Sequence, residues 1–322
     1  MKKLLLFFTF AVWITGLMAL TLTLAANAGT GETPQKNEWE KILEELRTEI
    51  KDNGYTYTVD YNPACQYSLE QLCTFHSSLG HFNNNVPGSL PGKKTGSGNN
   101  RPSRCIGYYS SVKNQGPCGG AWAIGMAGAV EGLMLKTMGS EIDISDQWLI
   151  DCNPWGWGCT GGFVDYSMFV TGGAPAESCY PYVGQDQPCN PSCPPLYFIY
   201  DWDWVTGPYD LPPVEGIKPA ITSYGSVTAG VYVNTAFLAY SGGVFNNCTS
   251  GSANHLVVLC GWDDSLGGGA WLLKNSWGTG WGGVDINENG TVDPDEKGFM
   301  WITYNCNNVG YAAAYPIPYS GG

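Results

Sequence analysis

The chain has 322 residues, 43% of them hydrophobic, which is enough for one large domain or two ordinary ones with a sizeable core. Charged residues make up only 13%, about half the usual share. The formal net charge is -13 with no stripe of Lys and Arg, which excludes nucleic acid as a partner and leaves the acidity to serve solubility.

The N-terminus reads as a secretory signal. Lys2 and Lys3 precede an uncharged apolar run from Leu4 to Leu24, and Ala26-Asn27-Ala28 fits a small-x-small cleavage site. Residues 1–28 are therefore expected to be a signal peptide cut after Ala28, with an uncleaved anchor as the alternative. No later segment is long and apolar enough to cross a membrane, so the mature chain is expected to be secreted, free of the membrane and monomeric. Twelve cysteines in an exported chain imply disulfides, and metal ligation by them is disfavoured because Cys-x-x-Cys units are absent and only three His occur.

Trp39, Ile42, Leu43, Leu46 and Ile50 recur at helical spacing and predict a helix over 37–52. Asn37 with Glu40 three positions on resembles a capping box, and Asn53-Gly54 is a stop signal. Tyr55 to Tyr61 alternates like a strand. Residues 84–103 are rich in Gly, Pro and Asn and predict an exposed linker, with Lys93-Lys94 open to cleavage. A helix is expected over 121–138, with Trp122, Met126, Val130, Leu133 and Met134 on its core side. A shorter one follows Ser145 as N-cap. From about residue 200 the chain reads as strands and Gly-rich turns: IYDWDWV, SVTAGVYV, HLVVLCGW, AWLLKNSW and GFMWITY. Helices first and strands later predict an α+β fold of two lobes, one helical over about 118–200 and one β-barrel-like over about 201–316.

Three separated segments carry the chemistry. Cys118-Gly119-Gly120-Ala121-Trp122 is followed by His255 in ANHLVVLCGW and by Asn275 in WLLKNSWGTGWG. Order and spacing resemble the papain-like cysteine peptidases, whose Cys-Gly-Ser/Ala-Cys-Trp/Tyr motif precedes its His and Asn by about 130–150 residues. SDQWLIDCNPWGWGCTGG and CYPYVGQDQPC resemble further stretches of that family, and the likeness covers most of residues 104–316.

The resemblance implies a papain-like two-lobed fold and peptide-bond hydrolysis by a Cys/His/Asn set. It needs no organic cofactor, and it takes a peptide or protein substrate in the cleft. It places Ala121 where the family has its nucleophilic thiol, at a helix N-terminus that favours an anion. It makes His255 the proton carrier, Asn275 its orienter and Trp277 a shield over their hydrogen bond. Gln115 and the N–H of residue 121 would form the oxyanion hole. Gly161 and Gly162 would pair with substrate backbone, and Phe163, Leu256 and Ala312 would line an apolar specificity pocket. The implied disulfides are Cys118–Cys159, Cys152–Cys189 and Cys248–Cys306, with Cys179–Cys193 as an extra bridge. Cys65, Cys73, Cys105 and Cys260 stay unplaced, Cys260 reading as a buried free thiol.

Alanine offers no nucleophile, so the covalent route is closed as written. The expectation is a peptidase scaffold made as a precursor and inactive, and the alternative is a natural secreted pseudopeptidase acting as a peptide-binding or adhesive module. Gly120 and RCIGYY also depart from the family pattern. Residues 29–103 are expected to form a short prosegment and linker, lacking the long helical prodomain of plant and animal members, and 104–322 the peptidase domain. Whether the prosegment crosses the cleft is open at this level. An insertion, VDINENGTVDPDEK, matches the calcium-loop pattern with Asp285, Asn287, Asn289, Thr291, Asp293 and Glu296 at the ligand positions and Gly290 at the turn. Calcium is expected there, against the alternative of a polar surface turn.

Overall fold

The apolar stripe of Trp39, Ile42 and Leu43 folds into α1 (Lys36–Asn53), and these three side chains are buried. The computed structural model describes residues 36–77 and 102–319. The expected signal peptide, its cleavage site at Ala26-Asn27-Ala28, and the linker up to residue 101 with Lys93-Lys94 lie outside the described residues. Helix α1 already includes Asn37, so that residue lies in the first turn instead of capping it. The stop at Asn53 holds, with Gly54 at φ +67°.

The chain then forms β1 (Thr56–Val59), a 3-10 turn over Pro63–Gln66 and the short α2 (Leu69–Leu72). Beyond β2 (Arg104–Ile106) come α3 (Ala121–Met138), α4 (Asp146–Cys152) and α5 (Ser167–Thr171). Ser145 caps α4 by accepting from Trp148 N, as its sequence position predicts. The later half holds β3 (Asp201–Trp204), β4 (Val227–Val231), β5 (Tyr240–Phe245), β6 (His255–Asp263), β7 (Ala270–Lys274), β8 (Phe299–Thr303) and β9 (Tyr311–Ile317). Two helices that the strand pattern does not announce interrupt it, α6 (Val214–Tyr224) and α7 (Thr235–Leu238). Pro219 inside α6 argues against a helix locally, and burial of Ile217, Ala220 and Ile221 overrides it.

The sheet runs β1-β5-β8-β7-β6-β4-β9-β3, with β2 added against β6. The β5–β8 pair is parallel and the others are antiparallel. All nine residues of β6 are buried, which explains why HLVVLCGW reads as a continuous apolar run rather than an alternating one. The prosegment shares this sheet: β1 covers its edge at β5, pairing Thr56 with Val244.

Two cores result. One lies beneath the sheet and takes in Trp39, Ile42, Leu43 and Leu72 from the prosegment. The other surrounds α3 and draws in Leu256, Ala312 and Phe75. Helix α3 packs closely on β6 because Gly125 and Gly128 leave room for it. A Cβ there would lie 3.1 Å from Leu256 and 3.2 Å from Val258.

All four implied disulfides are formed: Cys118–Cys159, Cys152–Cys189, Cys179–Cys193 and Cys248–Cys306. Cys65, Cys73, Cys105 and Cys260 are free, and Cys260 is buried in β6 as expected. Among the described residues no helix is long and apolar enough to cross a membrane.

Candidate active site

Ala121 is the first residue of α3 and is buried. It shares the helix face of Gly125, one turn on, which rests against Leu256; this brings Ala121 level with His255 at the start of β6. His255 is fully buried. Its Nε2 lies 2.8 Å from Asn275 Oδ1, and the Trp277 ring covers it at 4.9 Å between centroids. Asn275 sits just past the end of β7, and its N–H donates to Gly298 O. Burial holds the imidazole down at about 4, against the opposing pull of the Asn275 hydrogen bond and the Leu72 carbonyl. The ring is therefore neutral at pH 7. Its Nε2 is taken up by Asn275, and its Nδ1 makes no hydrogen bond of ordinary geometry.

Gln115 is fixed from both ends. Its Oε1 accepts from Ser276 Oγ at 2.7 Å, and its backbone N–H donates to Ser276 O. Its Nε2 donates to Cys118 O at 2.9 Å and to Leu72 O at 3.1 Å. The amide is thus aimed at a carbonyl oxygen, as an oxyanion-hole donor must be. Ser276 joins Gln115 to Asn275 along one stretch of chain, a role that the motif matching misses.

The Cys118–Cys159 bridge ties the start of α3 to the Gly161-Gly162 turn. That turn meets the prosegment. His76 N donates to Gly162 O at 3.0 Å, and Phe75 bridges Gly162 in parallel. A Cβ on Gly161 would stand 2.0 Å from Thr74 O, and one on Gly162 would stand 2.6 Å from the Trp122 ring. Only glycines allow so close an approach.

From the opposite side, Phe75 N donates to Asn254 O, while Thr74 Oγ1 donates to Gly119 O at 2.7 Å. Residues 72–77 therefore run between the lobes, through the cleft. The Phe75 ring stacks on Phe163 at 5.2 Å, and a Cβ on Gly230 would lie 3.1 Å from it. Leu256 and Ala312 belong to the same core. No sequence periodicity marks this segment, because its bonds go to residues far away in the chain.

The comparisons with known proteins agree with this geometry. The model of the papain family cysteine proteases matches residues 99–311. The chain belongs to that family. It is 34% identical to mouse cathepsin K over 212 residues, which are 63% of this chain and 59% of that protein, so this match spans under two thirds of the relative. It is 32% identical to rat cathepsin J over 305 residues, 87% of this chain and 84% of that one. Digestive procathepsin L2 from the larval midgut of Tenebrio molitor superposes with a TM-score of 0.73 at 25% identity, covering 94% of this chain and 99% of that one. The structural likeness to this papain-family precursor thus extends into the prosegment, which is less foreign than its sequence suggests.

Behind the cleft, α3 carries a buried carboxylate, Glu131. It accepts from Ser110 Oγ, from Lys113 Nζ at 2.7 Å and from Ile144 N at 2.9 Å. Burial opposes its charge, but Lys113 and Lys274 hold it below the ordinary carboxylate range. Lys274 in turn donates to Ser110 Oγ, so the network joins α3 to β7, the strand that leads into Asn275. A charge within an apolar helix pattern was the available signal.

The 285–296 loop closes on itself. Asp285 accepts from the N–H groups of Asn289 and Gly290, and Glu296 from those of Ile286, Asn287 and Asp293. Asn287 and Asn289 donate to Asp293, and Thr291 donates to Asn289. The donor set is all oxygen, the type a hard cation takes, and Gly290 holds the turn at φ +89°. Among the described residues, no three His, Cys, Asp or Glu side chains are gathered as a metal cluster. Arg104 Nη2 donates to Ile286 O and thereby ties the loop to β2.

Proposed function

We propose that this chain is the secreted precursor of a papain-type cysteine endopeptidase scaffold, silent as written for two reasons. Ala121 supplies no thiol, and residues 72–77 fill the cleft. The observation that carries the reading is the His255–Asn275 pair at 2.8 Å together with the Gln115 amide aimed at the Leu72 carbonyl. Together these groups suit acyl chemistry, a proton carrier beside an oxyanion donor. The substrate is a peptide or protein, and the Phe75 ring against Phe163 supports a preference for an apolar or aromatic side chain in the pocket.

The test is Ala121→Cys, assayed on a fluorogenic peptide after removal of the prosegment, beside the unchanged chain. Loss of a covalent nucleophile costs on the order of 10⁶ in rate, so the thiol should turn a null assay into a measurable one. A folded, disulfide-complete Ala121→Cys protein without activity would refute the endopeptidase reading. The alternative would then lead: a natural pseudopeptidase that binds peptides or adheres.

Calcium is proposed at Asp285, Asn287, Asn289, Thr291, Asp293 and Glu296, where it would stiffen the insertion and hold it against β2. Calcium at a hundred times its Kd should stabilise the chain by about 2.7 kcal/mol. Calorimetry showing no binding heat and no thermal shift would remove it. The signal peptide over 1–28, secretion, the monomeric state and the prosegment boundary near 103 belong to the same proposal. Their support is the signal pattern and the four disulfides.

A further inference from the structure

The Phe75 ring, which the prosegment sets into the apolar part of the cleft, lies 5.2 Å from Phe163 with 18° between the planes. Phe163 is fully buried, and two further rings bear on it. Trp204, the last residue of β3, stands 5.8 Å away at 38°. Tyr209 stands 5.7 Å away at 28°, so it is stacked on Phe163 much as Phe75 is. Tyr209 belongs to none of the sequence motifs and is 43% exposed.

The loop that carries Tyr209 is fastened where the cleft segment ends. Val205 N donates to Ala313 O at 2.8 Å as the chain leaves β3, and Asp210 N closes a turn on Gly207 O at 3.4 Å. Asp210 O then accepts from Ala312 N at 2.8 Å. Ala312 lies in the core that holds Phe75 and Phe163, at a φ of +50°, a left-handed conformation that an alanine keeps only where its surroundings impose it. Its neighbour Tyr311 donates from its hydroxyl to Ser77 O at 2.9 Å, so the loop and the cleft segment meet at the same end of β9.

We propose that Tyr209 is a specificity-determining positioning residue: by stacking on Phe163 it fixes the plane of that ring, and the pocket thereby favours a flat aromatic side chain over a branched aliphatic one. The inference rests on the reading of the cleft as a peptide site and names the residue that sets its choice of side chain.

An apolar pocket by itself selects by size and area, which separate Phe from Leu weakly. A well-placed aromatic pair adds about 3- to 10-fold beyond the area it buries, provided the partner ring is held at a fixed tilt. The ring torsion of Phe is broad, so Phe163 alone would turn to suit either shape. With Tyr209 stacked on it, turning sacrifices a second ring contact. Tyr209 therefore acts through Phe163 and is not a catalytic residue.

The experiment uses the full chain with Ala121 in place, where Phe75 is the occupant. Phe75→Leu, Tyr209→Ala and the double variant form a cycle. It is read by hydrogen exchange at the amides of Phe75 and His76, which donate to Asn254 O and Gly162 O, with the β6 amides reporting global stability. Phe75→Leu should cost about 3- to 10-fold in protection beside Tyr209, and under about 2-fold in the Tyr209→Ala background. Tyr209→Phe should match the unchanged chain, because the ring and not the hydroxyl does the positioning. In the Ala121→Cys background, two peptides that differ only by Phe or Leu at the pocket should show their kcat/KM ratio falling by about 3- to 10-fold on Tyr209→Ala, through KM. Effects that add to within about 2-fold in the cycle overturn the proposal, as does an unchanged peptide ratio in the active protein. A merely structural Tyr209 would lower Phe75 and β6 protection together and leave the cycle additive. Tyr209→Leu replaces Tyr209→Ala if the latter fails to fold. A silent Ala121→Cys refutes the endopeptidase reading while the cycle still decides this one; an active Ala121→Cys with an additive cycle sinks only the role of Tyr209.

Discussion

Protonation of His255 should work against the closed fold as the pH falls. The ring is wholly buried and its pKa falls from 6.5 to about 4, chiefly through loss of hydration. In any opened or unfolded state the ring regains water and its ordinary affinity for protons. Between pH 6.5 and 4 those states bind a proton that the closed state does not. Stability that is fully present above pH 6.5 is therefore lost as the pH falls towards 4. At about 1.4 kcal/mol per unit, the loss totals about 3 kcal/mol.

Asp146, pushed up to about 7 by burial, titrates in an overlapping window with the opposite sign, so the raw pH profile is not the test. The test compares urea unfolding of the unchanged chain and of His255→Gln at several values from pH 7 to pH 4.5. The difference between the two should grow steadily as the pH falls, approaching one proton per molecule in slope. Parallel profiles would refute the reasoning, since they would mean that His255 titrates alike in closed and open states.

Two further outcomes follow from packing. Phe75→Ala removes a buried ring stacked on Phe163, a change that costs about 3–5 kcal/mol in a core. Hydrogen exchange should show the amides of Phe75 and His76 losing protection by at least about 10²-fold, while those of β6 keep theirs. Glu131→Gln keeps the shape but leaves Lys113 and Lys274 without their shared buried carboxylate. It should destabilise the fold by about 3–5 kcal/mol in denaturant melts, and a loss below about 1 kcal/mol would show that Asp143 and Asp146, which already pair with Lys113 at 3.0 and 3.1 Å, suffice without Glu131.

Much of the site was legible because local chemistry and chain order carry it. The Gly-rich turn before α3, the apolar run that opens at His255 and the Asn275-Ser276-Trp277 triplet each have a composition that tolerates few alternatives. Helix α3 and the cap at Ser145 follow from periodicity and from a hydroxyl at the right place. The disulfide pairs came from family resemblance, since twelve cysteines by themselves allow very many pairings.

The sequence by itself determined the papain-family assignment, and with it the motifs that hold Ala121, Gln115, His255 and Asn275. Only the tertiary structure decided that Leu72, Cys73 and Phe75 occupy the cleft. Their hydrogen bonds run to Gln115, Asn254 and Gly162, and their packing to Phe163, across separations that leave no periodic trace. The same holds for Ser276 bracing Gln115 and for Glu131 between two lysines. A long-range contact is a property of two distant segments at once, and a reading along the chain sees each of them alone.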